Sequence, residues 1–183
     1  MPIAIVSVYD KTNIEYVGRV LNSYGFDVFA TPGTFRCLKD KQVRVLPIEE
    51  YCMNPPGFDG FFSSLSFNTL VGVLSSDNRM VADNLVESIG VVVYNFVPVW
   101  EIVDDLRGFT ISNVDLGGPT IVRAAAINFL NTLPLVSPAQ YPILENLDSI
   151  DYETRAKLAK EAFDYCSWYD RRLSRFIDQC LSV

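Results

Sequence analysis

The chain has 183 residues, of which 49% are hydrophobic and 20% charged, so it is not a chain that is disordered throughout. Its 15 lysines and arginines against 22 aspartates and glutamates give a formal net charge of -7, which argues against a nucleic-acid-binding protein with a basic face. No histidine is present, which removes most transition-metal sites and every nucleophile that needs an imidazole base.

The first part of the chain alternates between predicted strands and helices. Ile3–Val8 is a continuous apolar run, as in a strand buried on both faces, and helical spacing predicts a helix over residues 14–25. A second strand, Asp27–Ala30, leads through a turn into a helix that reaches residue 38, and residues 43–46 read as a third strand. This alternation predicts a parallel sheet covered by helices.

The middle of the chain is less regular. Residues 51–60 contain two prolines and two glycines, at positions 55, 56, 57 and 60, and are predicted to form a loop. Residues 70–74 fit either a short strand or the start of a helix. A helix is predicted over residues 81–89 and a strand over residues 90–96.

The last part combines a helix, a strand and a long amphipathic helix, predicted over residues 121–130, 133–136 and 152–177. Together the elements predict one α/β domain over residues 1–183. Its expected architecture is a three-layer sandwich around a parallel sheet, with a C-terminal helical extension.

Four cysteines are present, and none has the C-x-x-C spacing of a zinc ribbon or a thioredoxin motif. An even number allows disulfides, but free, buried thiols are the simpler expectation for a chain without an export signal. The N-terminus lacks the basic region of a signal peptide, and no stretch of eighteen apolar residues occurs. We therefore expect a cytoplasmic protein that does not span a membrane.

Two predicted strand ends carry residues suited to an anion. Ser7 and Lys11 follow the first strand, and Thr31, Gly33 and Thr34 follow the second. Backbone N–H groups at a helix N-terminus favour an anion, and a lysine adds positive charge. If the two strands are neighbours in the sheet, the two turns lie side by side. They then form one phosphate-binding site, which we call the cradle. Each segment by itself also has a simpler interpretation. The residues after the first strand fit a solvated lysine, and those after the second fit an ordinary helix-capping turn.

The most specific motif lies at residues 115–126, where a carboxylate precedes two glycines at a helix start. Asp115 is placed to act as a base, and the N–H groups of Gly117 and Gly118 are placed to stabilise a developing oxyanion. The same pattern equally fits a helix start at which Asp115 is only a favourable anion.

These motifs resemble, in the same order, the IMP cyclohydrolase domain of the bifunctional purine-biosynthesis enzyme. The resemblance covers essentially the whole chain, without the transformylase half, and it is carried by residues 7–12, 30–34, 59–60, 95–98, 115–128 and 153–170. It implies a fold of the methylglyoxal-synthase-like type, a homodimer and no cofactor. Methylglyoxal synthase itself fits poorly, because it uses a catalytic histidine and this chain has none.

The resemblance also implies roles for individual residues. The family substrate is formyl-aminoimidazole-carboxamide ribotide, whose carboxamide nitrogen attacks the formyl carbon, and loss of water then gives IMP. Asp115, Gly117 and Gly118 correspond to positions at the reacting ring. The pocket around that ring would be lined by Asn95, Ser63, Val97 and Ile127. The 5′-phosphate would be held by Ser7, Lys11, Thr31, Gly33, Thr34 and Ser64.

Several polar positions of the family are replaced in this chain. Ser63 stands where the family has a lysine thought to stabilise the oxyanion, Val97 where it has its catalytic tyrosine, and Ile127 where it has a second catalytic lysine. Phe61 and Ser66 stand where it has an arginine and a histidine. These replacements indicate a less anionic ligand, or none.

Three functions remain open from the sequence. The first is a divergent, stand-alone enzyme that closes or opens a ring on a phosphorylated imidazole riboside or an analogue. The others are a catalytically degenerate module that binds a nucleotide, and a structural partner subunit of an active cyclohydrolase. We favour the enzyme, because Asp115 and its two glycines accompany Lys11, and we expect no nucleic-acid or membrane partner.

Overall fold

A five-stranded, all-parallel sheet forms the centre of the chain in a computed structural model that describes residues 2–54, 64–75, 86–109 and 113–182. The strands are β1 (Ile3–Val8), β2 (Asp27–Ala30), β3 (Leu46–Pro47), β4 (Ile89–Asn95) and β5 (Leu133–Leu135). Their spatial order is β3-β2-β1-β4-β5. The strand order therefore reverses between β1 and β4, which is where open α/β sheets present a ligand-binding crevice at the carboxyl ends of the strands.

Helices follow or precede each strand. They are α1 (Ile14–Ser23), α2 (Pro32–Asp40), α3 (Ile48–Cys52), α4 (Phe67–Leu74), α5 (Val99–Ile102), α6 (Gly117–Ile127) and α7 (Tyr152–Leu181), with a 3₁₀ segment at Pro138–Ser149. The predicted α/β fold class with a C-terminal helix is confirmed.

The central strand β1 shows why the sheet is covered on both faces. All six of its residues are buried. Ile3 and Ile5 join a core formed with α3, α4, α6 and α7, whereas Ala4, Val6 and Val8 join a second core formed with α1, α2 and the 3₁₀ segment. Because successive strand side chains point to opposite faces, a strand between two cores must be apolar throughout.

The structure differs from the prediction around β3. Strand pairing begins only at Leu46, whereas residues 43–46 were predicted. Val43 is apolar because its side chain packs against α1, where a Cβ on Gly18 would lie 2.6 Å from Val43 Cγ1. The predicted loop from residue 51 is also partly wrong, since α3 continues to Cys52.

Two predictions in the middle of the chain have different outcomes. The undecided segment 70–74 is helical and belongs to α4, which begins at a serine that accepts a hydrogen bond from the Thr69 N–H. The helix predicted over residues 81–89 is wrong in its last part, because residues 86–88 are not helical and Ile89 opens β4 opposite Ile3. Residues 81–85 lie outside the described part of the chain.

Within the described ranges, none of the helices combines the length and the apolar character needed to cross a membrane. All four cysteines are free thiols, of which Cys52 and Cys166 are buried and Cys37 and Cys180 half-buried.

Candidate functional site

The ends of β1 and β2 lie side by side, as the sequence predicts for the phosphate cradle. The Ser7 and Thr31 hydroxyl oxygens are 2.8 Å apart. The Thr34 hydroxyl accepts a hydrogen bond of 3.1 Å from the Val8 N–H and lies 3.3 Å from the Val8 carbonyl oxygen. Because Thr34 is completely buried, its hydroxyl joins the two loops and does not face solvent. Of the three hydroxyls, those of Ser7 and Thr31 are the two that do not join the loops in this way.

Lys11 is half-buried and its ammonium group donates to protein carbonyls. The acceptors are the carbonyl oxygens of Val8 and Tyr9, the latter at 3.4 Å. Burial lowers the pKa of Lys11. Gly33 lies exposed in the first turn of α2, where a Cβ would meet no atom within 4 Å. That turn is therefore open to an approaching anion.

Asn95 is the last residue of β4, and its side chain bonds the loop that follows β1, at the point where the strand order reverses. Its Oδ1 accepts hydrogen bonds from the N–H groups of Tyr9 at 2.6 Å and Asp10 at 2.8 Å. Its Nδ2 donates to the Asp10 carbonyl oxygen at 3.3 Å. The side chain is therefore fully engaged in shaping the loop after β1, whereas the sequence placed it in the ring pocket.

Asp115 is held between three elements, namely the end of β4, the start of α6 and α7. Its Oδ1 accepts a 2.7 Å hydrogen bond from the Gly118 N–H, and the Val97 N–H also donates to this carboxyl group. Its own N–H donates to the Tyr169 hydroxyl at 3.2 Å, and that hydroxyl is 3.0 Å from the Val97 carbonyl oxygen. This carboxylate is fixed from several directions.

The two glycines of this turn have different environments. The Gly118 N–H, predicted to face an oxyanion, is engaged by Asp115. The Gly117 N–H has no partner among residues that the structure describes and is one of the free donors of the first turn of α6. Gly117 also lies against Ser64, whose hydroxyl would be 3.1 Å from a Cβ at this position.

Burial raises the pKa of Asp115, and the hydrogen bonds from Gly118 and Val97 oppose that effect only in part. No cation acts on this carboxyl group within the described residues. A carboxylate with a raised pKa is a better proton acceptor than an exposed one, because general bases are most effective when their pKa is near the working pH.

Sequence reasoning missed three tyrosines at the site. The Tyr94 hydroxyl lies 3.1 Å from the Ser64 hydroxyl oxygen, and both side chains are buried. The Phe96 N–H donates to the Tyr165 hydroxyl at 3.0 Å, and Tyr169 bonds Asp115 as described. The signal for Tyr94 was a phenol inside an otherwise apolar strand. The signal in α7 was the spacing of Tyr165 and Tyr169, which are four residues apart and therefore share a helix face.

One of the predicted pocket residues, Ile127, is not brought to Asp115. Ile127 is 67% exposed at the far end of α6. It lies ~15 Å along the helix axis from Gly117, given a rise of about 1.5 Å per residue. Val97 contributes its backbone groups, while Ser63 lies outside the described residues. No cluster of three or more potential metal ligands occurs in the part of the chain that is described.

The raised pKa of Asp115 predicts a pH-dependent stability. The folded chain binds this proton more tightly than the unfolded chain, so the contribution favours folding below the unfolded pKa of about 3.9 and is lost as the pH rises through the folded pKa. Asp115→Asn removes the titration. We therefore expect the free energy of unfolding of the variant, relative to that of wild type, to increase as the pH rises from about 4 to about 7.

Urea unfolding of both proteins at the two pH values measures this difference. Asp164→Asn is the matched control, since Asp164 is exposed and paired with Lys160. A difference between Asp115→Asn and wild type that stays constant with pH would contradict the buried titration.

Comparison with known proteins identifies similar chains. No protein-family model matches the sequence. The chain is 35% identical, over 94% of its length, to the bifunctional purine biosynthesis protein PurH of Caldicellulosiruptor bescii. It is 32% identical, over 95% of its length, to the protein of the same name from Acetivibrio thermocellus. In both cases it spans 36% of the relative, about a third of its length.

One solved structure is similar over nearly its whole length. The crystal structure of ForH matches with a TM-score of 0.83 and 28% identity, covering 96% of this chain and 98% of that one. These similarities confirm the resemblance to the IMP cyclohydrolase portion of the bifunctional protein and the methylglyoxal-synthase-like fold.

Proposed function

We propose that the chain is a divergent cyclohydrolase-like enzyme that closes or opens a ring on a phosphorylated imidazole riboside or an analogue. The observation that carries this proposal is the placement of Asp115. Its carboxylate is fixed by the Gly118 N–H at 2.7 Å, at the same edge of the sheet as the hydroxyls of Ser7 and Thr31. The similarity to PurH proteins over about a third of their length supports the same chemistry.

The cradle would hold the phosphoryl group by hydroxyl and backbone donors. Ser7 would donate its O–H group to the anion while it accepts from Thr31, and the first turn of α2 offers N–H groups next to the open Gly33 position. Lys11 would turn its ammonium from the carbonyl oxygens of the loop to the anion. An approaching dianion favours the charged lysine that burial disfavours.

Asp115 would act as the base of the ring closure. As the carboxamide nitrogen attacks the formyl carbon, the new C–N bond forms and the nitrogen's proton passes to the carboxylate. The former carbonyl oxygen becomes an oxyanion facing the free Gly117 N–H and takes the proton back from Asp115 to give a hydroxyl group. This group leaves as water with a second proton, which the former formamide nitrogen gives up as the C=N bond of the ring forms. Orientation within one molecule supplies about 7–11 kcal/mol in favourable cases, and one oxyanion donor supplies on the order of a hundred- to a thousandfold in rate.

A nucleotide-binding module without turnover is the second candidate. It is favoured by the environment of Asp115, on which no cation acts within the described ranges, and by Val97 at the position where the family has its tyrosine. Turnover of formyl-aminoimidazole-carboxamide ribotide, followed by the absorbance of IMP, separates the two functions. Binding of IMP without turnover would support the module.

Replacing Lys11 tests the cradle. We expect Lys11→Met to raise the dissociation constant of ribose 5-phosphate about ten- to a hundredfold, since a charge-assisted hydrogen bond is worth about 1.5–3 kcal/mol. Isothermal titration calorimetry measures it. Lys41→Met is the control for the lost charge, because Lys41 is exposed and lies 3.6 Å from Glu15. Equal affinity in the Lys11 variant and wild type would remove this lysine from the cradle.

A further inference from the structure

Tyr94, in β4 next to the central strand, lies between the cradle and Asp115. Its hydroxyl is 3.1 Å from the Ser64 hydroxyl oxygen. Ser7 is the register partner of Tyr94 in the neighbouring strand β1, so both serines adjoin this phenol, whose pKa burial raises. Ser7 in turn bonds Thr31. Four adjacent hydroxyls thus run from the cradle into the protein.

The ring of the same tyrosine supports the turn that holds Asp115. A Cβ on Gly118 would lie 2.5 Å from Tyr94 Cε1 and 2.8 Å from Asp115 Oδ2. The ring therefore packs against Gly118 as closely as a glycine permits. Since the Gly118 N–H donates to Asp115, a displacement of the ring displaces the carboxylate.

An anion in the cradle would fix the direction of the hydrogen bonds in this row. Each hydroxyl has one proton, and the two recorded contacts, Ser7 with Thr31 and Ser64 with Tyr94, each allow either oxygen to be the donor. Once Ser7 donates to a bound anion, it can only accept from its neighbours. Ser7 then accepts from Tyr94, which keeps its one proton because burial raises its pKa, and Ser64 donates to the Tyr94 oxygen.

We propose that Tyr94 is a positioning residue that transmits occupation of the cradle to Asp115. The inference rests on the proposed function, because it requires a phosphoryl group in the cradle. It deepens that function by giving the phosphoryl group two roles, binding and placement of the carboxylate. A riboside without that group occupies the pocket but leaves the turn at residues 115–118 as it is in the free protein.

Hydrogen exchange with ribose 5-phosphate as the probe tests this transmission without any need for turnover. In wild type, we expect the sugar phosphate to slow amide exchange of residues 115–120. In Tyr94→Phe, which removes only the hydroxyl, we expect ribose 5-phosphate to bind without this protection. Tyr24→Phe is the control, since the Tyr24 hydroxyl donates to the Glu145 carbonyl oxygen at the C-terminal end of α1, away from the cradle. It should behave as wild type.

Kinetics give a second measurement. We expect Tyr94→Phe to lower kcat about ten- to a hundredfold while KM changes by less than about threefold, because placement of the base is lost and binding is kept. If Tyr94 had only a structural role, its replacement would not remove the protection of residues 115–120 that ribose 5-phosphate produces. If the phenylalanine variant fails to fold, Ser64→Ala breaks the same row from its other end and is measured in the same way.

The outcomes distinguish this inference from the proposed function. Binding of ribose 5-phosphate with equal protection of residues 115–120 in wild type and Tyr94→Phe would overturn the role of Tyr94 alone. Failure of wild type to bind the sugar phosphate would overturn the cradle and the transmission together. Protection in the absence of turnover would support the transmission and contradict the enzyme.

Discussion

Asp115→Asn should lower kcat for ring closure about a hundred- to ten-thousandfold near neutral pH, the range typical for loss of a general base. An asparagine amide oxygen still accepts the Gly118 N–H that Asp115 Oδ1 binds at 2.7 Å, so the turn at the start of α6 is kept. What is lost is the ability to take a proton from the attacking nitrogen. KM should change by less than about threefold, because binding is made at the cradle.

Steady-state kinetics on the purified variant measure this effect. Asp164→Asn is the control for the lost carboxylate, since Asp164 lies exposed on α7 and pairs with Lys160 at 2.6 Å. Asp115→Asn with kcat within about threefold of wild type would show that the carboxylate does not accept the proton.

Gly118→Ala should disable the site by crowding. A Cβ would lie 2.5 Å from Tyr94 Cε1 and 2.8 Å from both Asp115 Oδ2 and Phe96 Cδ1. The rings of Tyr94 and Phe96 cannot move away from the added methyl group, because both are buried in the core that covers one face of the sheet. We expect a loss of about 1–3 kcal/mol in the free energy of unfolding, as for other overpacked cores.

Turnover by Gly118→Ala should fall along with its stability, since the added methyl group displaces the carboxylate. Urea unfolding and initial rates measure the two effects. Gly33→Ala is the control for stability, because a Cβ there would meet nothing within 4 Å. A Gly118→Ala protein as stable and as active as wild type would contradict the close contact between the turn and β4.

The sheet could be predicted from the sequence because strands buried on both faces are apolar throughout. Ile3–Val8 and the strand that begins near residue 90 have this pattern, and both lie within about one residue of the prediction. β3 was misplaced because Val43 is apolar for another reason, its contact with α1. In a short segment, the sequence alone does not show whether an apolar residue is buried within the sheet or against a helix.

The candidate site was predicted only where its residues are close in the chain. The motif at Asp115–Gly118 depends on local hydrogen bonds, so its spacing is visible in the sequence. Tyr94 and Tyr169 reach the site from separate elements, 21 and 54 residues away, and their hydroxyls meet it only through tertiary packing. The sequence marks Tyr94 as a phenol in an apolar strand and Tyr169 as one of two tyrosines on a helix face, but it does not say which residues their hydroxyls contact.

By this proposal, a carboxylate and a glycine turn suffice for ring closure on a phosphorylated riboside. The most direct measurement is the rate at which wild-type protein converts formyl-aminoimidazole-carboxamide ribotide to IMP, relative to the same solution without protein. We expect an acceleration of at least about a thousandfold, which orientation of the two reacting groups can supply. A rate equal to that without protein, from a chain that binds ribose 5-phosphate, would contradict it.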